Sequence, residues 1–360
     1  MNHASAERPA PAAEVLSAYA IDPASLRRTG SGLINQTWLA RAGSSHCVLQ
    51  RVNPVFPAEI HYDIDAVTRH LRAKGLTSPV LIPTRTGALW HAHDGFIWRT
   101  MTYVEGTSFE ALQSPAQAAE AGRLLASFHH ALADLEHEFR NARWGVHDTA
   151  RHLAALHAAL AEHRDHAELA AIESLSAEVL ALASEIGAPP AVPERIVHGD
   201  PKISNVMFTS DGAHALCLID LDTLARMPVA FELGDAFRSW CNPKTEDASS
   251  ATFAMPLFAA AIGTYAKSVG GLLSPAEWQA IPGAIFRITV ELAARFCTDA
   301  LRERYFAWDP GRYASATAHN QARTRGQLNL AATIRGQRAA IEETVRAAFS
   351  SVGASLSSRS

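Results

Sequence analysis

Cysteine is scarce in this chain, and none of it is paired by spacing. Cys47, Cys217, Cys241 and Cys297 stand far apart, without the close pairs of a zinc or redox site, so buried free thiols are expected. An excess of either charge is missing too. A net charge of −4 and a pI near 6.5 create no field that would gather nucleic acid or an anionic membrane. No apolar run is long enough for a bilayer span: FAMPLFAAAIGTYA is among the longest, and it is short and interrupted. The opening MNHASAERPAPAAE lacks the basic start and apolar core of a secretory signal, which predicts a cytoplasmic address. The 17 histidines are scattered, many beside Ala and Leu, and most read as solvated faces rather than ligands. There is no internal repeat. What remains is a 360-residue chain, 48% hydrophobic and 19% charged, enough for one large or two medium soluble domains with a substantial core.

The texture changes once along the chain. From about 26 to 104 the pattern is strand-like, with TGSGLINQTWLARAG and HCVLQRVN as consecutive strands joined by a Gly-Ser turn and FIWRTMTYVEG as another. A helix is predicted between them over AEIHYDIDAVTRHLRAKG, ended by Gly75. After Glu105 the pattern turns helical. Ser114-Pro115 is an N-cap and first-turn pair, and Ala121, Leu124, Leu125, Phe128, Leu132 and Leu135 recur at three- and four-residue steps. Ala/Leu-rich helical pattern fills 150–187 and much of 251–346, and one β-like insert interrupts it at 195–222. The Ala/Pro-rich first dozen residues and the Ser-rich last ones are expected to be frayed. The expectation is an α+β chain of two lobes: a small β-rich lobe over 1–104, a hinge near 102–106, and a larger, mostly helical lobe over 105–360. A ligand belongs in the cleft between such lobes.

The insert carries the chemistry. IVHGDPKISNVMF places Asp200 after His198-Gly199 and Asn205 five positions later, and Asp220 follows in CLIDLDT. Phosphoryl transfer from ATP needs a carboxylate to orient the attacking hydroxyl, oxygen ligands for Mg²⁺, and cover for the phosphate charge. An Asp, a following Asn and a second Asp after the next strand supply the first two. With Gly234-Asp235 further on, HGDPKISN…LIDLDT…ELGDAFR resembles the aminoglycoside phosphotransferase/choline kinase superfamily, which has a bilobal protein kinase-like fold. GSGLINQT, CVLQRVN, WGVHDT, ELAARFCTDAL…YF and HNQARTRGQLNL extend the likeness, which is greatest to the N-acetylhexosamine 1-kinase-like group. The resemblance implies Asp200 as catalytic base, Asn205 and Asp220 as metal ligands, and Asp235 as the acid that braces the catalytic loop. His198 orients the loop by this reading, and Asp222 is either a second metal contact or a surface acid. ATP and Mg²⁺ are the implied cofactors.

The nucleotide side departs from the pattern. Gly30, Ser31 and Gly32 can approach phosphates by backbone, and Met101 and Tyr103 fall where the strand meets the hinge and the nucleotide is expected. The strand that offers a lysine in the family reads CVLQRVN here. Gln50 and Arg51 alternate, so only one faces the cleft; Arg51 is slightly favoured as the phosphate partner, with Glu59, Asp63 or Asp65 as its acidic partner.

From 231 to 310 there are nine acids and seven bases, a balance that fits a neutral sugar better than a polycation. Glu291, Arg295 and Asp299 fall at four-residue steps on one helix face, either a salt-bridge ladder or a sugar-hydroxyl face. Arg238 and His147-Asp148 are further acceptor-side candidates, and Trp98, Trp144 and Trp240 could stack on a sugar. The resulting expectation is Mg²⁺-dependent transfer of the ATP γ-phosphoryl group to a small hydroxylated acceptor, a hexosamine or related sugar at its anomeric hydroxyl, with no nucleic-acid or membrane partner. The alternatives are an aminoglycoside, choline or amino-alcohol kinase on the same scaffold, or a catalytically silent nucleotide-binding protein.

Overall fold

In the computed structural model the described residues are 10–29, 35–140, 147–189 and 191–357, with side chains to 351. They form two compact units, Met1–Arg69 with Ser78–Val104, and His70–Thr77 with Glu105–Ser360.

The first unit is built on an antiparallel sheet. After the short helix α1 (Ala13–Ala18) come β1 (Arg27–Thr29), β2 (Gln36–Ala42) and β3 (Ser45–Val52). Helix α2 (Ile60–Ala73) precedes β4 (Leu81–Ile82), β5 (His91–His93) and β6 (Phe96–Thr102). The strand order is β1-β2-β3-β6-β4, with β5 also on β6. Two tight turns set the register. Gly43 at φ +60 starts the turn between β2 and β3, the Gly-Ser turn that the sequence predicts. Asp94 and Gly95, at φ +49 and +75, form the Asp-Gly turn between β5 and β6, whose two left-handed residues match the twist of a hairpin. One sheet face is sealed by Val15, Leu16 and Tyr19 against Trp38, Ala40, Cys47, Leu49 and Trp98. Helix α2 ends before Gly75, which sits at φ +80, as expected of a glycine terminator.

The second unit is helical around two small hairpins. Helices α3 (Pro115–Leu132), α4 (Thr149–Glu162) and α5 (Leu169–Ala183) lead to β7 (Glu194–Val197), β8 (Val206–Phe208), β9 (Ala215–Leu218) and β10 (Ala225–Pro228). Then follow α6 (Val229–Trp240), α7 (Met255–Val269), α8 (Pro275–Gln279), α9 (Ile281–Arg302), α10 (Ala316–Gly336) and α11 (Arg338–Ser357). Ser114 caps α3 by accepting from the Gln117 N–H. Apolar faces of α4, α5, α9 and α10 meet around Leu156, Ile172, Val179, Val290, Ala293 and Ala331. The β insert is larger than its sequence pattern: β8 pairs with β9, while β7 pairs with β10, which lies beyond the expected limit at 222. Arg226 and Pro228 in β10 mask its strand character. All four cysteines are buried free thiols. No helix among the described residues is long and apolar enough to cross a membrane.

Candidate active site

The HGDPKISN loop leaves β7 and enters β8, and its course is fixed by main-chain contacts. Gly199 has φ +84, and a Cβ there would lie 2.1 Å from the Thr223 carbonyl oxygen, so this turn requires glycine. Thr223 Oγ1 donates to the His198 carbonyl at 2.9 Å. Both nitrogens of the buried His198 ring are used. Nε2 lies 2.9 Å from the Ile219 carbonyl, which can only accept, so Nε2 carries the proton. Nδ1 then accepts from the Asp200 N–H at 3.3 Å. An imidazole committed at both ends orients the loop rather than shuttling protons.

Helix α6 holds the same loop from below. Glu232 is fully buried and accepts from the N–H groups of His198 at 2.9 Å and Gly199 at 2.8 Å. Ser239 Oγ accepts from the Ile203 N–H at 3.0 Å, and Trp240 Nε1 donates to the Pro201 carbonyl at 2.8 Å. Positions 232, 239 and 240 share one helix face because seven- and eight-residue steps return to the same side. Gly234 lets this helix approach α9, since a Cβ there would stand 2.8 Å from the Ala284 backbone. The bracing acid is therefore Glu232, one turn earlier than the expected Asp235. Asp235 instead accepts from Arg238 at 2.6 Å, and Arg238 also reaches Glu246 at 2.7 Å. The pattern ELGDAFR offers two acids on nearly one face, and sequence alone does not tell which meets the loop.

At the end of the β8–β9 hairpin the reactive groups converge. Asn205 Nδ2 donates to the Asp200 carbonyl at 2.8 Å and to Asp200 Oδ2 at 3.2 Å, so its side-chain oxygen is the atom that could meet a cation. Lys202 Nζ donates to Asp200 Oδ2. Asp220 follows β9 in a left-handed conformation, φ +62 and ψ +60, a strain of about 1–2 kcal/mol for a residue with a Cβ. The Ile219 N–H bonds the Asn205 carbonyl at 2.9 Å, so the turn carrying Asp220 is tied to the turn carrying Asn205. Burial opposes ionisation of Asp200, but the charge and hydrogen bond of Lys202 outweigh it and hold the carboxyl below its usual range. Burial likewise works against the Lys202 ammonium, and Asp200 and Asp220 overcome it, so Lys202 stays charged. One amide oxygen and two carboxylates, with the Lys202 ammonium bonded to Asp200 and within the electrostatic reach of Asp220, form a hard-oxygen donor set suited to a magnesium ion. Lys202 was not singled out in the sequence, although its place two residues after Asp200 and three before Asn205 was a usable signal. Asp222 is buried.

On the first unit, Gln50 and Arg51 face opposite sides of β3. Arg51 pairs across to Trp98 on the sealed side, its guanidinium 4.1 Å from the Phe96 ring. Gln50 is opposite Arg99; it accepts from Arg99 Nε at 2.8 Å and donates to Thr37 Oγ1 at 3.2 Å. Arg99 is 1% exposed. Met101 is buried on the Gln50 side, and Tyr103 is 40% exposed. Among the acids of the following stretch, Asp63 is buried and Asp65 pairs with Arg69 at 2.9 Å. Gly30, Ser31 and Gly32, and Trp144, lie outside the described residues.

The three α9 residues do not act as one ladder. Glu291, 1% exposed, accepts from Thr149 Oγ1 at 2.9 Å and pairs with His147 Nδ1 at 3.0 Å. Burial works against the His147 charge, but Glu291 raises its pKa overall. Arg295 packs over Tyr305 and Phe306, 5.6 Å from each ring. Asp299 accepts from the N–H groups of Arg304, Tyr305 and Phe306 at 2.8–2.9 Å, closing the turn after α9. Trp98 and Trp240 are both in core positions.

A model of the phosphotransferase enzyme family (APH) matches residues 25–267. Among solved structures, a microcompartment-associated aminopropanol kinase is similar at a TM-score of 0.61 and 18% identity, over 90% of this chain and 97% of that one. An amicoumacin kinase in complex with AMP-PNP and Ca²⁺ matches at TM-score 0.61 and 11% identity, over 88% and 91%. An aminoglycoside phosphotransferase from Alicyclobacillus acidocaldarius matches at TM-score 0.52 and 18% identity, over 96% and 98%. At these identities the likeness is one of kinase-like fold.

Proposed function

Because the chain belongs to the phosphotransferase enzyme family, and is thus an ATP-dependent small-molecule kinase with a hydroxyl acceptor, we propose that it phosphorylates an N-acetylhexosamine or related sugar at its anomeric hydroxyl. The observation that carries the chemistry is the cluster of Asp200, Lys202, Asn205 and Asp220 at the end of one hairpin. The sugar assignment is supported by the likeness of its motifs to the N-acetylhexosamine 1-kinase-like group and by the near balance of charge over 231–310. Residues 1–104 serve as the nucleotide-binding lobe and 105–360 as the catalytic and acceptor-binding lobe, in the cytoplasm, where ATP is supplied.

Asn205 and Asp220 are the residues that would hold Mg²⁺, which when bound neutralises phosphate charge and aligns the phosphates. Asp200 receives the acceptor hydroxyl. Its carboxyl, held acidic by Lys202, is a weak base in the resting enzyme, so it orients the hydroxyl first and takes the proton as the bond to phosphorus forms. That order suits a loose transition state in which the nucleophile needs little prior activation. Lys202 lies beside the same oxygen and supplies positive charge where phosphoryl oxygens develop negative charge. On β3 the family's lysine position is assigned to Gln50, with its charge supplied by Arg99 on the neighbouring strand. Arg238, Glu291, Arg295 and Asp299 remain the acceptor-side assignment, with Asp235 supporting Arg238.

A second reading, an amino-alcohol or antibiotic kinase, draws on the names of the similar structures. Incubation with Mg²⁺-ATP and a panel of N-acetylhexosamines, hexoses, aminopropanol, choline and aminoglycosides, read by product mass, separates the two. A sugar 1-phosphate that disappears with Asp200→Ala supports the first. Product only from cationic acceptors refutes it in favour of the second.

A further inference from the structure

The histidines of HAHDGF, expected to be solvated, sit at a second cluster on the first unit. The Asp94-Gly95 turn fixes the register His91 opposite Trp98 and His93 opposite Phe96. Residues two apart on a strand share a face, and the two imidazoles stack with ring centres 6.2 Å apart and planes 17° from parallel. Helix α1 carries Glu14 to the same place. That helix is anchored by the buried Val15 and Leu16, by Tyr19 Oη donating to the Trp98 carbonyl at 2.8 Å, and by the Arg85 N–H bonding the Ala18 carbonyl at 2.8 Å. Glu14 Oε1 lies 3.6 Å from His91 Nε2, and Glu14 Oε2 lies 3.4 Å from His93 Nδ1. The ligand atoms of the three residues all lie within 4.8 Å of one another.

We propose that Glu14, His91 and His93 form a binding site for a zinc-class divalent ion, unrelated to the magnesium ligands of the hairpin. Two atoms each about 2.0–2.1 Å from a tetrahedral ion stand roughly 3.3–3.4 Å apart, and the two Glu14–imidazole separations are close to that already. Two imidazoles and one carboxylate suit zinc, whereas magnesium prefers an all-oxygen shell. Surface ion pairs alone would leave the cluster unremarked. What marks it as a ligand site is His91 Nε2, a buried ring nitrogen with no hydrogen-bond partner, aimed at the Glu14 carboxylate. An ion between them gives that nitrogen a partner. His93 Nε2 meets Asp94 Oδ2 at 3.3 Å, the carboxylate–imidazole arrangement that orients a metal-bound histidine through its other nitrogen. With three protein ligands, a fourth position is left for water. The bound ion ties α1 to β5 and so stiffens the sealed face of the sheet.

The test uses untagged, full-length protein stripped with chelator and kept in excess Mg²⁺, titrated with ZnCl₂ by calorimetry and with CoCl₂ by visible absorption. One saturable equivalent is expected, with the strong d–d bands of low-coordinate cobalt and a zinc-dependent rise in Tm. The paired substitution His91→Ala with His93→Ala should abolish all three signals, and Glu14→Gln should weaken affinity at least about tenfold. Because the histidines lie on the half-buried side of β5, circular dichroism and thermal melts of each variant without metal serve as the folding control. No saturable zinc binding by the unaltered chain overturns the proposal. Equal binding by the doubly substituted chain overturns it too, because the ion then sits on other histidines.

Discussion

Replacing Glu232 by Gln tests whether the HGDPKISN loop is held by α6. The side chain is fully buried, and each carboxylate oxygen takes one loop N–H, at 2.9 and 2.8 Å. Gln keeps one acceptor and turns an NH₂ group against the other N–H. One charge-assisted bond worth about 1.5–3 kcal/mol is lost, and the surviving bond drops to the roughly 1 kcal/mol of a neutral pair. The sum is about 2–5 kcal/mol, which for a unit of this size lowers Tm by roughly 4–20 °C. Burial opposes the Glu232 charge, but His129 and the loop N–H groups hold its pKa below the usual range. A carboxyl depressed in the folded state stabilises above its unfolded pKa, about 4.3, and that share is lost as pH falls through the folded value. Thermal melts at pH 7 and pH 4 should therefore show a gap between native and Gln forms that narrows in acid. Product formation should fall together with stability at pH 7, since Asp200 is placed by the same loop. A Gln variant that melts within about 1 °C of the native protein at pH 7, with full activity, would refute the brace.

Other outcomes follow from the same structure. Asp200→Asn should reduce kcat by about 10²–10⁴ with nucleotide affinity retained, measured by steady-state kinetics and calorimetry. His147, raised by Glu291 against its burial, contributes stability that is full below its unfolded pKa of about 6.5 and fades as pH rises through the folded value. Melts from pH 6 to 9 should show that decline, and Glu291→Gln should flatten it. Burial pushes the thiols of Cys217 and Cys297 up to about 12. A thiol reagent at pH 8 should accordingly label no cysteine in the native protein and four after unfolding in denaturant.

The parts legible in the sequence were those written in local pattern. Glycines with left-handed φ marked the end of α2 and the β2–β3 turn, Ser114-Pro115 marked the start of α3, and the HGD…N spacing marked the loop. What escaped was decided by tertiary register. The choice between Glu232 and Asp235 depends on how α6 is rotated against the loop, a three-residue difference that the helical period hardly separates. Gln50 and Arg51 were known to face apart, but which side is sealed depends on where α1 docks. Pairing of β10 with β7 joins segments that look unrelated in composition. His91 and His93 looked like scattered surface residues because their partner, Glu14, is far away in the chain.

The ties on the HGDPKISN loop share one property. Glu232, Ser239, Trp240 and Thr223 all grip main-chain atoms of the loop, and none of them reads a loop side chain. From outside, the loop is therefore held mainly by its backbone, while His198 and Asn205 add side-chain ties from within. Gly199 is fixed by its turn, and Lys202 and Asn205 each bond Asp200 directly, so exchanging either removes a contact to that carboxyl. With the main chain gripped by α6 and Thr223, a substitution at Lys202 alters the charge beside Asp200 more than the path of the loop, which makes that position a practical place to retune the site.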